Sequence, residues 1–118
     1  MLDLSLIPKI LRSAKELISK PERWTKKLCA RTKFQQDIDP TSDLAVCWCA
    51  IGAVIHETKS VPRVNRSRIE EAALTWLRKA SKKFGGDGGM TSPPWVNDRN
   101  THDVVMSMFD EAIRLAEE

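Results

Sequence analysis

The sequence predicts an all-α protein, a compact bundle of four main helices plus one short helix. Apolar residues recur every three or four positions along several segments, as on one face of a helix. Proline- and glycine-rich breaks separate these segments, and no segment strongly predicts a strand. Because 118 residues is the length of one domain, residues 1–118 are predicted to form a single helical domain.

The N-terminal part of the chain predicts one long helix and one short helix. The long helix covers residues 5–19. Ser19 and Glu22 then match a capping box, and Pro21 suits a first helical turn, so residues 21–30 predict the short helix. The apolar stripe of the first helix consists of Ile7, Ile10, Leu11, Ala14, Leu17 and Ile18.

The most apolar stretch, residues 41–57, predicts the central helix of the bundle, with neighbours on several sides. Gly52 costs about 1 kcal/mol relative to Ala in a helix interior, which favours close approach of another backbone there. Upstream, residues 32–40 predict an irregular connection in which Phe34 and Ile38 contact the core, with a short strand pair as the alternative. The main face of the central helix is Leu44, Cys47, Trp48, Ile51, Val54 and Ile55.

Two amphipathic helices are predicted in the C-terminal half. The first follows a cap at residue 65 or 67 and continues to about Phe84. The glycine-rich run at residues 85–89 predicts the end of that helix and a flexible tether. The last helix follows a cap at residue 100 or 101. Its predicted core face is Val104, Val105, Met108, Phe109, Ala112, Ile113 and Ala116.

Three features resemble a family of small uncharacterised bacterial and phage proteins. They are the AVCWCAIGA run at residues 45–53, Trp24 upstream of it, and a Trp-Val-Asn-Asp run at residues 95–98 before the last helix. The family pattern is an A-V-x-W-C-x-x-G-A helix and a Trp-Asn-Asp segment, and this chain has one more residue between Trp and Asn. The resemblance implies a phage or mobile-element source and no known activity.

Composition indicates a soluble globular protein, with 42% apolar and 30% charged residues. No run approaches the roughly 18 apolar residues of a membrane helix, and the N-terminus lacks the basic region of a secretory signal. We therefore expect a cytoplasmic protein with no membrane partner. The sequence leaves its oligomeric state open.

The net charge is only +3, but the basic residues are concentrated in two blocks. Residues 1–33 carry nine Lys and Arg against three acids, and residues 59–83 carry eight against two. These faces are candidates for weak contact with nucleic-acid phosphates, and a solvated charged surface is the alternative. The proposed phosphate contacts are Lys26, Lys27, Arg31 and Lys33.

The three cysteines, an odd number, predict free thiols rather than a disulfide framework. Cys47 and Cys49 lie in the apolar helix and are expected to be buried. Cys29 lies among basic residues, which would favour its thiolate. The close ligand pairs of a structural zinc site are missing, so we predict no metal and no cofactor.

The densest polar cluster follows Trp95 and precedes the last helix. A ligand or partner site would use Trp95 for stacking and neighbouring polar groups for hydrogen bonds. The alternative is that Asn and Asp residues here are turn and cap residues. The candidate binding residues are Trp95, Asn97, Asp98, Arg99 and His102.

No motif demands one chemistry, so the sequence favours a non-enzymatic binding or interaction protein with an unidentified protein partner. A nucleic-acid-associated protein that uses the basic helix faces is the second hypothesis. A small enzyme that uses residues 97–103 is the third.

Overall fold

The computed structural model describes residues 3–85 and 91–118, which form a mostly α-helical structure of five helices and one two-stranded sheet. Short 3₁₀ turns lie at Pro21–Arg23, Thr58–Ser60 and Lys82–Phe84. The elements are α1 (Leu6–Leu17), β1 (Ala30–Arg31), β2 (Cys47–Trp48), α2 (Ala50–Glu57), α3 (Arg63–Ser81), α4 (Pro93–Arg99) and α5 (His102–Glu117).

The core lies between α1, α3 and α5, with α2 packed on α1 and α4 packed on α2, α3 and α5. The three long helices were predicted from their apolar periodicity, and the structure confirms them with shifts of a few residues at their ends. The largest buried apolar side chains include Leu11, Ile18, Ile69, Leu77, Met108 and Phe109.

The prediction of one central helix over residues 41–57 is wrong, because α2 begins only at Ala50. Residues 47–48 pair as a strand instead, since a short apolar run with an aromatic residue suits a strand as well as a buried helix. Trp48 is nevertheless buried, as expected. Leu44, which was assigned to the core face of that helix, is exposed.

The small sheet also corrects the all-α prediction. β1 and β2 are antiparallel, with Ala30 opposite Trp48 and Arg31 opposite Cys47. The chain before β1 runs along the other edge of β2, where the Thr25 amide donates to the carbonyl of Trp48 at 3.0 Å.

The helix predicted over residues 21–30 is wrong as well, since only Pro21–Arg23 forms a 3₁₀ turn. Lys27 has a positive φ of 73°, which a right-handed helix does not accommodate. The short helix lies instead at α4, where the Ser92 side chain accepts a hydrogen bond from the Trp95 amide and Pro93 occupies the first turn.

Gly52 does provide a close backbone approach, as predicted. A Cβ atom built at this position would lie 1.9 Å from the carbonyl oxygen of Cys29. The lack of a side chain therefore lets α2 rest directly on the chain that enters β1.

The prediction that residues 85–89 end a helix and form a tether falls largely outside the described residues. Within them, α3 ends at Ser81 and is followed by the 3₁₀ turn Lys82–Phe84 and then Gly85.

None of the helices in the described part of the chain combines the length and apolar character needed to cross a membrane.

Candidate functional site

Asn97 lies on α4 in the interior of the protein, with 1% of its surface exposed. Its Oδ1 atom accepts hydrogen bonds from the Trp24 indole at 2.7 Å and from the Ala50 amide at 3.0 Å. Its Nδ2 group donates to the Thr25 carbonyl at 2.9 Å and to Asp98 Oδ1 at 3.1 Å. The amide therefore uses its full hydrogen-bonding capacity to join α4, the start of α2 and the loop before β1.

Asp98 holds the strained residue of that loop. Its Oδ1 atom accepts a 2.8 Å hydrogen bond from the Lys27 amide, and Lys27 is the residue with a φ of 73°. A non-glycine residue in the left-handed region costs roughly 1–2 kcal/mol. The hydrogen bond to the carboxylate offsets part of that cost and fixes the loop.

His102 joins the same region to α1. Its ring centroid lies 5.6 Å from that of Trp24, and its Nε2 atom lies 2.7 Å from the carbonyl oxygen of Ile18. Trp24 is thus held at its indole nitrogen by Asn97 and across its ring by His102.

The other two predicted binding residues form a separate pair. The Arg99 guanidinium stacks over the Trp95 ring at 5.0 Å, Arg99 is exposed and Trp95 is half-buried. The structure therefore brings Asn97, Asp98 and His102 together around the loop near Trp24, and places Trp95 and Arg99 outside that network.

The four residues predicted to contact phosphate differ in their exposure and in their contacts with the rest of the protein. The guanidinium of Arg31 donates to Thr25 Oγ1 at 2.7 Å and to the Lys26 carbonyl at 2.9 Å. The Lys26 ammonium lies 5.3 Å from the Trp24 ring centroid. Lys27 and Lys33 are exposed. The Lys33 ammonium lies 5.2 Å from the Phe34 ring centroid. Three of the four cations are thus engaged with the protein itself.

An exposed apolar groove lies where the turn after β1 meets the segment before β2. Its volume is about 430 Å³. The apolar side chains in it are Phe34, Leu44 and Val46, which are 73%, 68% and 44% exposed. We call this surface the Phe34 groove. Its lining residues are Thr32, Lys33, Phe34, Gln36, Asp43, Leu44 and Val46.

A tight turn presents Phe34 to solvent. The Thr32 amide donates to the Gln36 carbonyl at 2.9 Å, and the Thr32 side-chain oxygen accepts from the Phe34 amide at 3.2 Å. Gln35 takes a positive φ of 66°. The expectation that Phe34 packs into the core is wrong because this turn directs it outward, whereas Ile38 does pack against the core.

Two of the three cysteines are neighbours across the sheet. The Cys49 amide donates to the Cys29 carbonyl at 3.0 Å, one position beyond the pair Ala30 and Trp48. Cys29 is exposed, whereas Cys47 and Cys49 are buried, as expected. A hydrogen bond from the Cys49 thiol lowers the pKa of Cys29 to about 6. The same interaction, together with burial, raises the pKa of Cys49.

Comparison with known proteins places the chain in a family. A family model described as a family of unknown function, DUF6197, matches residues 5–115. The chain belongs to the DUF6197 family. No curated protein and no solved structure matches it.

In this DUF6197 protein, sequence reasoning missed the Phe34 groove and the pairing of Cys29 with Cys49. A lone aromatic residue in the polar run Thr-Lys-Phe-Gln-Gln was the available signal for the groove. No signal pointed to the cysteine pair, because 20 positions separate its members and the strand pairing was not predicted. Within residues 3–85 and 91–118, no three His, Cys, Asp or Glu side chains are grouped to hold a metal ion.

Proposed function

We propose that this DUF6197 protein is a non-enzymatic interaction protein that binds a partner protein through the Phe34 groove. The observation that supports the proposal is the exposure of Phe34 and Leu44, at 73% and 68%, beside one apolar depression. Contiguous exposed apolar surface of this kind is typical of protein interaction sites. Burial of one such side chain stabilises a complex by roughly 1.5–3 kcal/mol.

The turn that presents Phe34 also favours binding. Its hydrogen bonds to Thr32 fix the backbone before any partner arrives. A fixed backbone lowers the entropy that is lost on association, so more of the apolar contact appears as affinity.

The partner is expected to bind through side chains rather than by adding a strand. One edge of the sheet is bonded to Thr25 at the carbonyl of Trp48. At the other edge, the Ile38 amide donates to the Ala30 carbonyl at 3.3 Å. Because neighbouring chain segments already pair with both edges, little backbone is left for a new strand.

Charge at the rim of the groove favours an acidic partner surface. Asp43 lies 3.7 Å from Lys59, so a neighbouring cation balances it. None of the ion pairs formed by the described residues involves Lys33. We therefore expect the partner to offer an apolar side chain flanked by a carboxylate that faces Lys33.

The bacterial or phage source and the cytoplasmic location are part of the same proposal. The residues Trp95, Asn97, Asp98, Arg99 and His102 remain a separate predicted binding segment. Within it, the exposed Arg99 stacked on Trp95 is the pair with side-chain surface directed outward.

The test is affinity capture from lysate with four forms of the purified protein. Wild type is compared with Phe34→Ser, Leu44→Ser and a matched control, Val64→Ser, which removes an apolar side chain that is 86% exposed on α3. We expect wild type and the control to retain one protein that both groove variants lose, with equal melting temperatures in all four. The affinity of that protein for each variant is then measured with purified components.

Three results would overturn the proposal. Capture that survives in both groove variants would remove the groove from the interaction. Capture that nuclease treatment abolishes would favour the nucleic-acid hypothesis. A groove-dependent dimer, detected by light scattering of the purified chain, would make a second copy the occupant.

A further inference from the structure

We propose that Cys29 and Cys49 form a thiol–disulfide exchange site for low-molecular-weight disulfides, with Cys29 as the attacking thiol and Cys49 as the resolving thiol. This inference is independent of the Phe34 groove. It rests on the juxtaposition of the two residues across the sheet, on their difference in exposure and on the two cavities beside Cys29.

The backbone places the two residues within reach of a disulfide. Ala30 faces Trp48 in the antiparallel sheet, so Cys29 and Cys49 are the next opposing pair, joined by a 3.0 Å backbone hydrogen bond. Opposing Cα atoms in such pairs are about 4.5–5.5 Å apart. Disulfides form between Cα atoms that lie about 4.4–6.8 Å apart.

Small molecules can reach the pair from the Cys29 side, because Cys29 is exposed and Cys49 is buried. An open cleft of about 590 Å³ adjoins Cys29 and is lined by Lys27, Leu28 and residues 37–40. A smaller cavity of about 90 Å³ is lined by both Cys29 and the buried Cys49, with Ile51 and Pro94 among its other walls. A small disulfide therefore meets Cys29 first, and Cys49 is shielded from direct attack.

The surroundings favour a thiolate on Cys29 and a thiol on Cys49. Hydrogen bonding with the Cys49 thiol lowers the pKa of Cys29, although burial and then Asp37 oppose this shift. Lys27 and Asp98 line the small cavity. On its other side, the Cys49 sulfur accepts a 3.3 Å hydrogen bond from the Gly52 amide at the start of α2. That contact helps Cys49 to accept negative charge once its proton has left.

The reaction proceeds in two exchanges. The Cys29 thiolate attacks one sulfur of the disulfide RSSR, a Cys29–SR bond forms, and the S–S bond of RSSR breaks to release RS⁻. The Cys49 thiol then gives its proton to RS⁻, and the Cys49 thiolate so formed attacks the Cys29 sulfur. The Cys29–SR bond breaks and a second RS⁻ leaves, which takes a proton from water. The small disulfide is reduced by two electrons and the protein gains one disulfide.

Oxidised glutathione is the probe, and intact-mass spectrometry under non-reducing conditions is the readout. Wild type is expected to become lighter by two hydrogen atoms, without a lasting adduct. Cys49→Ser is expected to hold one glutathionyl group on Cys29, because nothing displaces it. This variant should fold, since a serine oxygen also caps a helix start. Cys29→Ser should remain unmodified.

Cys47→Ala is the matched control, because Cys47 is buried nearby but lies opposite Arg31. It is expected to lose two hydrogen atoms as wild type does. A stable glutathionyl adduct on wild type would overturn the resolving role of Cys49. Internal oxidation that persists in Cys29→Ser, or that disappears in Cys47→Ala, would overturn the assignment of the pair.

Discussion

The indole Nε1 of Trp24 donates a 2.7 Å hydrogen bond to Oδ1 of Asn97, across 73 residues of sequence. The same oxygen accepts the Ala50 amide, which is one of the free N–H groups at the start of α2. A single side chain thus satisfies a helix end and a half-buried indole at once. This arrangement lets stability measurements separate the structural role of Asn97 from a role in binding.

Asn97→Ala is expected to lower the free energy of unfolding by about 2–4 kcal/mol, because two donors lose their acceptor in the interior. Urea denaturation measures this loss. Asn100→Ala is the control, since it removes one hydrogen bond to the Val96 carbonyl, and about 1 kcal/mol is expected there. An unchanged unfolding midpoint for Asn97→Ala would contradict the structural role and return this residue to the candidates for ligand binding.

The sequence predicted α1, α3 and α5 because each is long enough for its apolar stripe to repeat several times. Residues 41–49 were misassigned because a short apolar run suits a strand as well as a buried helix. The N-cap of α2 also gave no signal, since a cysteine sulfur takes the place usually held by Ser, Thr, Asp or Asn.

The candidate site was harder to predict because its geometry depends on distant partners. Asn97 and Asp98 were selected as polar residues near an aromatic one, but their contacts lie more than 40 positions away, at Trp24, Ala50 and Lys27. The positive φ of Lys27 has no mark in the sequence, since Lys is not a residue that favours it. Local patterns therefore found the polar segment without showing what it contacts.

Gly52→Ala is expected to destabilise the protein strongly, by roughly 3 kcal/mol or more, because the new Cβ would lie 1.9 Å from the Cys29 carbonyl oxygen. Whether this substitution lowers or raises the stability of the protein is informative. In an unconstrained helix interior the same substitution stabilises by about 1 kcal/mol. Thermal melting of this variant beside wild type makes the comparison, and a raised melting temperature would show that α2 does not rest on that backbone.

Glu111 on α5 is expected to contribute to acid sensitivity. Hydrogen bonds from Arg114 and then from Lys83 lower the pKa of its carboxyl from 4.5 to about 2. Since the folded-state pKa lies below the unfolded one, the stabilisation is fully present above about pH 4.5 and is lost as pH falls towards 2.

The measurement is the urea midpoint as a function of pH for wild type, Glu111→Gln and Arg114→Gln. Both variants should show a shallower fall in stability between pH 4.5 and 2 than wild type. Identical slopes in all three proteins would mean that this ion pair does not contribute to the acid transition.

Cys29 is expected to react first with iodoacetamide in the folded protein, while Cys47 and Cys49 resist without denaturant. Its labelling rate should rise with pH and level off just above its pKa of about 6. In Cys49→Ala the rise should move towards the ordinary thiol value of 9.0, since the hydrogen bond that lowers the pKa is lost. The control is Cys47→Ala, which should leave the profile in place. Fast labelling of Cys49 in the native protein would contradict its burial.

Substitutions of Arg31 and Lys33 distinguish a structural role of the basic segment from a role in phosphate binding. Arg31→Ala should lower the free energy of unfolding by about 1–3 kcal/mol, because its guanidinium bonds to Thr25 and Lys26 are lost. Lys33→Ala should change the free energy of unfolding by no more than about 0.5 kcal/mol, as is usual for an exposed residue.

The affinity of both variants for duplex DNA is then measured as a function of salt concentration. Each phosphate contact contributes about 0.9 to the slope of log K against log salt concentration. We expect only weak binding, lost near physiological salt. Sub-micromolar binding there, with a slope that falls by about one in each variant, would instead favour a nucleic-acid-associated protein.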